Sequence, residues 1–270
     1  MPSSRVRDGG NWGDMSTRSG IEIISERVGG ATPSGTLRRK ASEEIAARIV
    51  DQVVAEGLTA GTRLPAEAEM IAQFGVSRET LREGLRLLEV QGFLSIRRGP
   101  GGGPTLEPVN AGFMARSSSL YFHLAGATYE EVLQAWQLME PPLAVRAAEN
   151  PDRPLVRRLM APSLDAETSP DRDVSGDESM HAAIAVLSGN RVVHLLARTV
   201  GHLVTDQVMA ALPVPAPFAE ARTWHAEVAD AVVRGHKRRA YEALDAHIAA
   251  VIDYYRENAP DRMSDPVLWA

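Results

Sequence analysis

Arg78, Arg82 and Arg86 recur four residues apart, and His181, His225 and His247 stand with Asp177 in a later part of the chain. The two sets point to different chemistries. Arginines spaced one helical turn apart form a row, and such a row meets phosphates or grips guanine O6 and N7 bidentately. Glu79, Glu83 and Glu89 are interleaved with it, so a solvated face laced by salt bridges is the competing reading. Three imidazoles and one carboxylate suit a borderline divalent ion, zinc first and nickel or manganese next. Asp177 and His181 are four apart, so one helix would project both side chains the same way. His225 and His247 flank Gly235 at a separation of 22 residues. Two antiparallel helices joined at that glycine bring them to comparable heights. The chain holds 7 histidines, so spacing alone leaves core or capping histidines as an alternative.

The elements that must position the arginine row can be read around it. Pro65 is expected just inside the start of a helix, where its missing N–H costs nothing. Met70, Ile71 and Phe74 give that helix one apolar face, and Gly75 suits the left-handed residue that ends it. Val76 can pack into the turn, and Ser77 is a good N-cap for the next helix. Leu81, Leu85 and Leu88 then form a buried stripe opposite the arginines. Phe93 to Ile96 alternates like a strand. Arg97-Arg98-Gly99-Pro100-Gly101-Gly102-Gly103 makes a flexible basic hairpin tip, and Thr105 and Leu106 start the return strand. An earlier helix, Ser42 to about Glu56, presents Ile45, Ile49 and Val53. Helix, glycine turn, arginine-bearing helix and basic hairpin are the layout of a winged helix-turn-helix, which lays one helix in the DNA major groove. The glycine run at the tip lacks the strand-then-helix context of a nucleotide loop, so that reading is rejected.

Composition divides the rest. With 270 residues, 44% of them apolar, one small and one larger domain are expected. The boundaries read as a disordered Gly/Ser/Arg-rich tail over 1–36, a DNA-binding domain over 37–107, and an all-helical domain over 108–270. Helices are expected at Ala111–Leu124, Tyr129–Glu149, Leu155–Leu164, Gly176–Ser188, Arg191–Leu212, Ala219–Arg234 and Arg238–Asn258, a bundle of six or seven members. No apolar run approaches the roughly 18 residues of a membrane span. The N-terminus has no signal-peptide pattern, and the chain has no cysteine, so a cytoplasmic protein without disulfides is expected. Residues 37–107 hold ten Lys/Arg and ten Asp/Glu, whereas the part from Pro108 onward carries the whole net charge of −6. DNA affinity must then come from the local arginines, doubled by pairing of two subunits, rather than from bulk charge.

The stretch LPAEAEMIAQFGVSRETLREGLRLLEVQGFLSIRRGPGGG resembles the DNA-binding domain of GntR-family transcription regulators. By that resemblance Ser77, Arg78, Thr80 and Arg82 contact DNA from the recognition helix, with Arg98 and Gly99 at the wing; Arg97 joins them as a candidate from the charge of the hairpin tip. One departure is Ala68, where the family often has arginine. The stretches DESMHAAIAVLSGN and HAEVADAVVRGHKRRAYEALDAHI resemble the FCD effector domain of the FadR branch. In that domain Asp177, His181, His225 and His247 match the four metal-ligand positions, with Met180 in place of the usual Phe. MEPPLAVRAAE resembles its opening helix, but Trp136 and Gln137 stand where an arginine commonly meets an effector carboxylate. Trp136 offers instead a surface for a flatter ligand, although a tryptophan at helical spacing also fits a core. His236 replaces an acidic residue after the turn glycine, as a capping change. Of the other histidines, His123, His194 and His202 read as structural, with His194 the best placed to face a cavity.

The resemblance implies a regulator, commonly a repressor, working as a homodimer on a short palindromic double-stranded DNA operator and controlled by a small-molecule effector, a carboxylate, bound near the metal. A regulator whose effector is the ion itself is the alternative. A metallohydrolase is the competing class, and no Glu stands beside a ligand in an HExxH-like arrangement to support it.

Overall fold

The computed structural model describes residues 40–97, 99, 102–164, 179–211 and 218–269. The tail expected over 1–36, the wing residue Arg98 and the ligand candidate Asp177 lie outside the described residues. Among the described residues the chain is helical throughout, apart from one two-stranded sheet.

The first part contains α1 (Ala41–Ala55), α2 (Glu67–Phe74), α3 (Arg78–Val90), β1 (Leu94–Arg97) and β2 (Gly103–Leu106). Ile45, Ile49 and Val53 of α1 meet Met70 and Phe74 of α2 and Leu81, Leu85 and Leu88 of α3, with Leu64, Leu94 and Leu106 closing the cluster. These are the apolar stripes expected from spacing, and their convergence leaves the opposite face of α3 to solvent. Gly75 ends α2 with φ 67°, a left-handed conformation that a Cβ would strain. Ser77 caps α3 by accepting from Thr80 N at 3.1 Å. Pro65 does not open α2 as expected. Leu64 N donates to Pro104 O at 2.9 Å, and Arg63 bridges Thr105, so this segment is held extended against β2. The helix begins only at Glu67, after the N-cap Ala66. The hairpin is antiparallel, pairing Leu94 with Leu106 and Arg97 with Gly103, so the return strand starts two residues earlier than expected.

The second part contains α4 (Ala111–Ala125), α5 (Tyr129–Glu149), α6 (Arg153–Leu164), α7 (Met180–Leu187), α8 (Arg191–Leu203), α9 (Phe218–Arg234), α10 (Lys237–Asn258) and the short α11 (Pro260–Met263). A second apolar cluster holds it together, and α5 packs against α7, α8, α9 and α10. Caps set the starts. Thr128 accepts from Glu131 N while Glu131 accepts from Thr128 N, a reciprocal box at the head of α5. Asn190 accepts from Val192 N and Val193 N at the head of α8.

In this part three helix bounds differ from expectation by two residues or more. Helix α6 starts at Arg153 rather than Leu155, because Pro154 is tolerated in a first turn and Asp152 accepts from Leu155 N. Ser179 is the N-cap of α7, so the described helix starts at Met180, later than the Gly176 expected. Helix α8 passes at Val204 into a π-helical turn, Val204–Met209, where apolar spacing predicts a single α-helix. Helix α4 connects the two parts. Phe113 lies against Gly92, and His202 of α8 lies against Gly112. No described helix is long and apolar enough to cross a membrane.

Gly84 lets α3 approach α1 closely: a Cβ there would stand 3.0 Å from Ser42 O and 3.1 Å from Ile45 Cγ2. Gly84→Val is therefore expected to destabilise the first part by about 1–3 kcal/mol through overpacking, read as a lower denaturation midpoint by circular dichroism.

Candidate nucleic-acid interface and metal centre

On the outer face of α3, Arg78, Glu79, Arg82, Glu83 and Arg86 line an open groove. Arg78 and Arg82 are exposed, yet they do not pair with the interleaved glutamates of their own helix. Both turn to Glu67, the first residue of α2. Its carboxylate lies 3.3 Å from Arg78 Nε and 3.0 Å from Arg82 Nε. Glu89 is committed elsewhere, accepting from Ile96 N at the base of the wing. Ser77 and Thr80 share a hydroxyl contact of 2.8 Å at the exposed start of α3. At the wing, Arg97 is exposed and Gly99 accepts from Gly102 N at 2.9 Å. Among the described candidates, Ser77, Arg78, Thr80 and Arg82 thus share one solvent-facing helix start, and the hairpin bearing Arg97 and Gly99 follows directly after α3.

The histidines meet inside the bundle. His181 comes from α7, His225 from α9 and His247 from α10, each about 95% or more buried. Helices α9 and α10 are antiparallel around Gly235, as the spacing anticipates, and bring His225 Nε2 within 3.0 Å of His247 Nε2. One ring nitrogen from each of the three histidines lies within 4.8 Å of the others. Desolvation by burial, followed by the neighbouring rings of His225 and His181, holds the His247 pKa well below the usual histidine value. His247 is thus neutral at neutral pH, with a lone pair to offer.

Glu140 of α5, itself buried, accepts a hydrogen bond from His181 Nδ1. That bond fixes the tautomer and leaves His181 Nε2 as the free acceptor, and Nε2 is buried without a partner among the described residues. A carboxylate behind a ligating imidazole both orients the ring and raises its basicity. His225 Nε2 and His247 Nε2 stand close enough to be ligands of one ion. The donor set fits a divalent metal. Sequence spacing does not single out Glu140. Its one signal is its register: it falls on the apolar stripe of Tyr129, Val132, Leu133, Trp136, Leu143 and Ala144, where a carboxylate requires a partner.

Trp136 stands one turn before Glu140 and is fully buried, with its ring 5.4 Å from His181 and 6.3 Å from His247. Its Nε1–H has no partner among the described residues. Gln137 points elsewhere, donating to Asp245 of α10 at 3.1 Å. His194 is half-buried in the first turn of α8, and its backbone N bonds Asn190 O. His123 is tied to Val267 O at 2.8 Å and His202 faces Asp206 at 3.5 Å, both structural contacts. His236 is the N-cap residue of α10, but its side chain makes no capping bond.

The pattern described as "Bacterial regulatory proteins, gntR family" matches residues 41–102, and the FCD domain pattern matches residues 131–250. A protein of Escherichia coli strain K12 named for regulation of the L-lactate dehydrogenase operon is 29% identical over 231 residues, covering 80% of this chain and 86% of that protein. The Uxu operon transcriptional regulator of the same strain is 32% identical over 170 residues, 61% of this chain and 65% of its own length. A solved structure, Streptococcus agalactiae GntR, superposes with a TM-score of 0.57 at 20% identity, covering 79% of this chain and 99% of that one, and so shares the fold.

Glu140→Gln keeps the shape of the side chain but removes the charge behind His181. Zinc affinity of the full chain is expected to fall about tenfold or more, measured by competition with a chromogenic chelator, while the circular dichroism spectrum stays unchanged.

Proposed function

This chain belongs to the gntR family of bacterial regulatory proteins and carries an FCD domain, and from that premise we propose that it is a metal-dependent, acid-responsive repressor. The DNA-binding unit is residues 37–107 and the effector and dimerisation unit is residues 108–270. The observation that carries the DNA reading is the exposed Arg78–Arg82 row, which follows a glycine turn and precedes a basic hairpin. Ser77, Arg78, Thr80 and Arg82 meet the major groove, and Arg97, Arg98 and Gly99 meet the backbone beside it. A cytoplasmic homodimer reads two half-sites of a palindrome about one helical turn apart.

In the bundle, His181, His225 and His247, with Asp177 as a fourth ligand, would hold a divalent ion, zinc before nickel or manganese. The ion would supply positive charge and open positions for an acid's oxygen. The residues of the chain do the rest. Glu140 holds the His181 tautomer. The low pKa of His247 keeps its ring neutral. Trp136, at the position where the family commonly has an arginine, offers a buried Nε1–H and a ring face to the ligand. The name of the lactate-operon relative supports a small carboxylate as the effector class.

The route to DNA runs through α4, whose Gly112 packs on His202 of α8 and whose Phe113 packs on Gly92 at the end of α3. A ligand that favours one placement of α8 and α4 changes the spacing of the two DNA-binding units. It alters affinity only by as much as it binds the two arrangements unequally.

The test uses the highest-affinity duplex that the full chain selects from a random-sequence library. Arg78→Ala and Arg82→Ala are each expected to cost about 1–3 kcal/mol of binding to it, and unchanged affinity for both would overturn the assignment of α3. In a thermal-shift screen of the zinc-loaded chain against small carboxylic acids, a true effector at about a hundred times its Kd stabilises by about 2.7 kcal/mol. If zinc alone moved duplex affinity and no acid did, the ion itself would be the effector.

A further inference from the structure

The two arginines at the head of α3 are not free, and what holds them is not on their own helix. Glu67 Oε1 is shielded from solvent and stands at ion-pair distance, without an aligned hydrogen bond, from Arg78 Nε at 3.3 Å and Arg82 Nε at 3.0 Å. Its second oxygen, Oε2, accepts from Arg82 Nε at 3.1 Å. One carboxylate therefore sits between two guanidinium groups whose side chains remain 68% and 63% exposed. Arg86, the third member of the row, has no ion pair among the described residues and provides an internal contrast.

We infer that Glu67 is a positioning residue for DNA reading, which trades non-specific affinity for sequence discrimination by clamping Arg78 and Arg82 through their Nε atoms. The inference rests on the assignment of α3 as the recognition helix. An arginine fork has two usable edges. With Arg82 Nε hydrogen-bonded to Glu67 and Arg78 Nε drawn to it by charge, the edge carrying the two terminal nitrogens is the one presented outward, and that edge matches O6 and N7 of a guanine. The clamp also orders two long side chains before DNA arrives, so less rotamer freedom is lost on binding. Its negative charge opposes phosphate attraction at the same spot, which lowers binding to any duplex regardless of sequence. Glu67 occupies the first turn of α2, where the helix dipole favours a carboxylate. Because α2 and α3 share the apolar cluster of Met70, Phe74, Leu81 and Leu85, the acid and the arginines are fixed relative to each other.

The experiment measures affinity of the full chain for two probes over a salt series: the library-selected duplex and a scrambled duplex of the same composition. Glu67→Ala is expected to lower the ratio of the two affinities about tenfold, with weaker binding to the selected duplex and tighter binding to the scrambled one. Glu67→Gln, which keeps an acceptor but not the charge, is expected to fall between wild type and Glu67→Ala. Arg86→Ala should weaken both probes alike and leave the ratio within about twofold. If Arg78→Ala and Arg82→Ala lower the ratio but Glu67→Ala leaves it unchanged, or weakens both probes equally, Glu67 is a surface or structural charge and the inference is overturned. If the two arginine variants themselves leave selected-duplex binding intact, the recognition-helix assignment fails and the inference falls with it.

Discussion

A nitrogen or carboxylate taken out of water must find a partner or cost several kcal/mol, and the helical bundle is organised around that requirement. His181, His225, His247 and Glu140 are buried together among Val, Leu and Ala side chains. Glu140 and His181 satisfy one another, and the two Nε2 atoms of His225 and His247 face each other. What is left over is directional: His181 Nε2, His247 Nδ1 and Trp136 Nε1 have no partner among the described residues. In an apolar interior such a remainder of unsatisfied polar atoms marks a place built to receive something. Helix α5 carries two of the polar groups around the site, Trp136 and Glu140. It packs against α7, α8, α9 and α10, so the groups around the site are tied to the central packing of the bundle.

At the other end of the molecule the constraint is charge rather than burial. The DNA-binding unit contains as many acids as bases, so its attraction for DNA is local. The structure adds that part of this neutrality is concentrated at the reading surface itself, in the contact of Glu67 with Arg78 and Arg82. An acid in that place limits indiscriminate phosphate binding and gives the forked side chains a preferred orientation. Under the proposed function, affinity from one unit is then modest, and the pairing of two units in a homodimer would supply the rest. That dependence would give a signal bound in the bundle leverage over DNA binding, since α4 touches both α8 and the end of α3.

The fold was legible to the extent that it follows from periodicity and caps. Leu81, Leu85 and Leu88 are a stripe by spacing and are buried in fact; Gly75, Gly126 and Gly235 stop helices where a left-handed residue is needed. Departures arose where a tertiary partner intervened. Pro65 was drawn out of α2 because β2 holds Arg63 and Leu64 extended. The π turn after Leu203 leaves no mark in a pattern of apolar residues. The histidines separated by the Gly235 turn were legible because an antiparallel pair is a local geometry.

The sequence by itself determined the order of elements, the winged helix-turn-helix, the all-helical second part and the facing of His225 and His247, since these rest on spacing within one helix or across one turn; His181 joined that pair through the resemblance to the FCD domain, not through spacing. Only the tertiary structure decided which carboxylates serve the two sites. Glu140 lies 41 residues from His181, and Glu67 is 15 residues from Arg82. No helical period connects such pairs, and the packing of separate helices alone brings them within hydrogen-bonding distance.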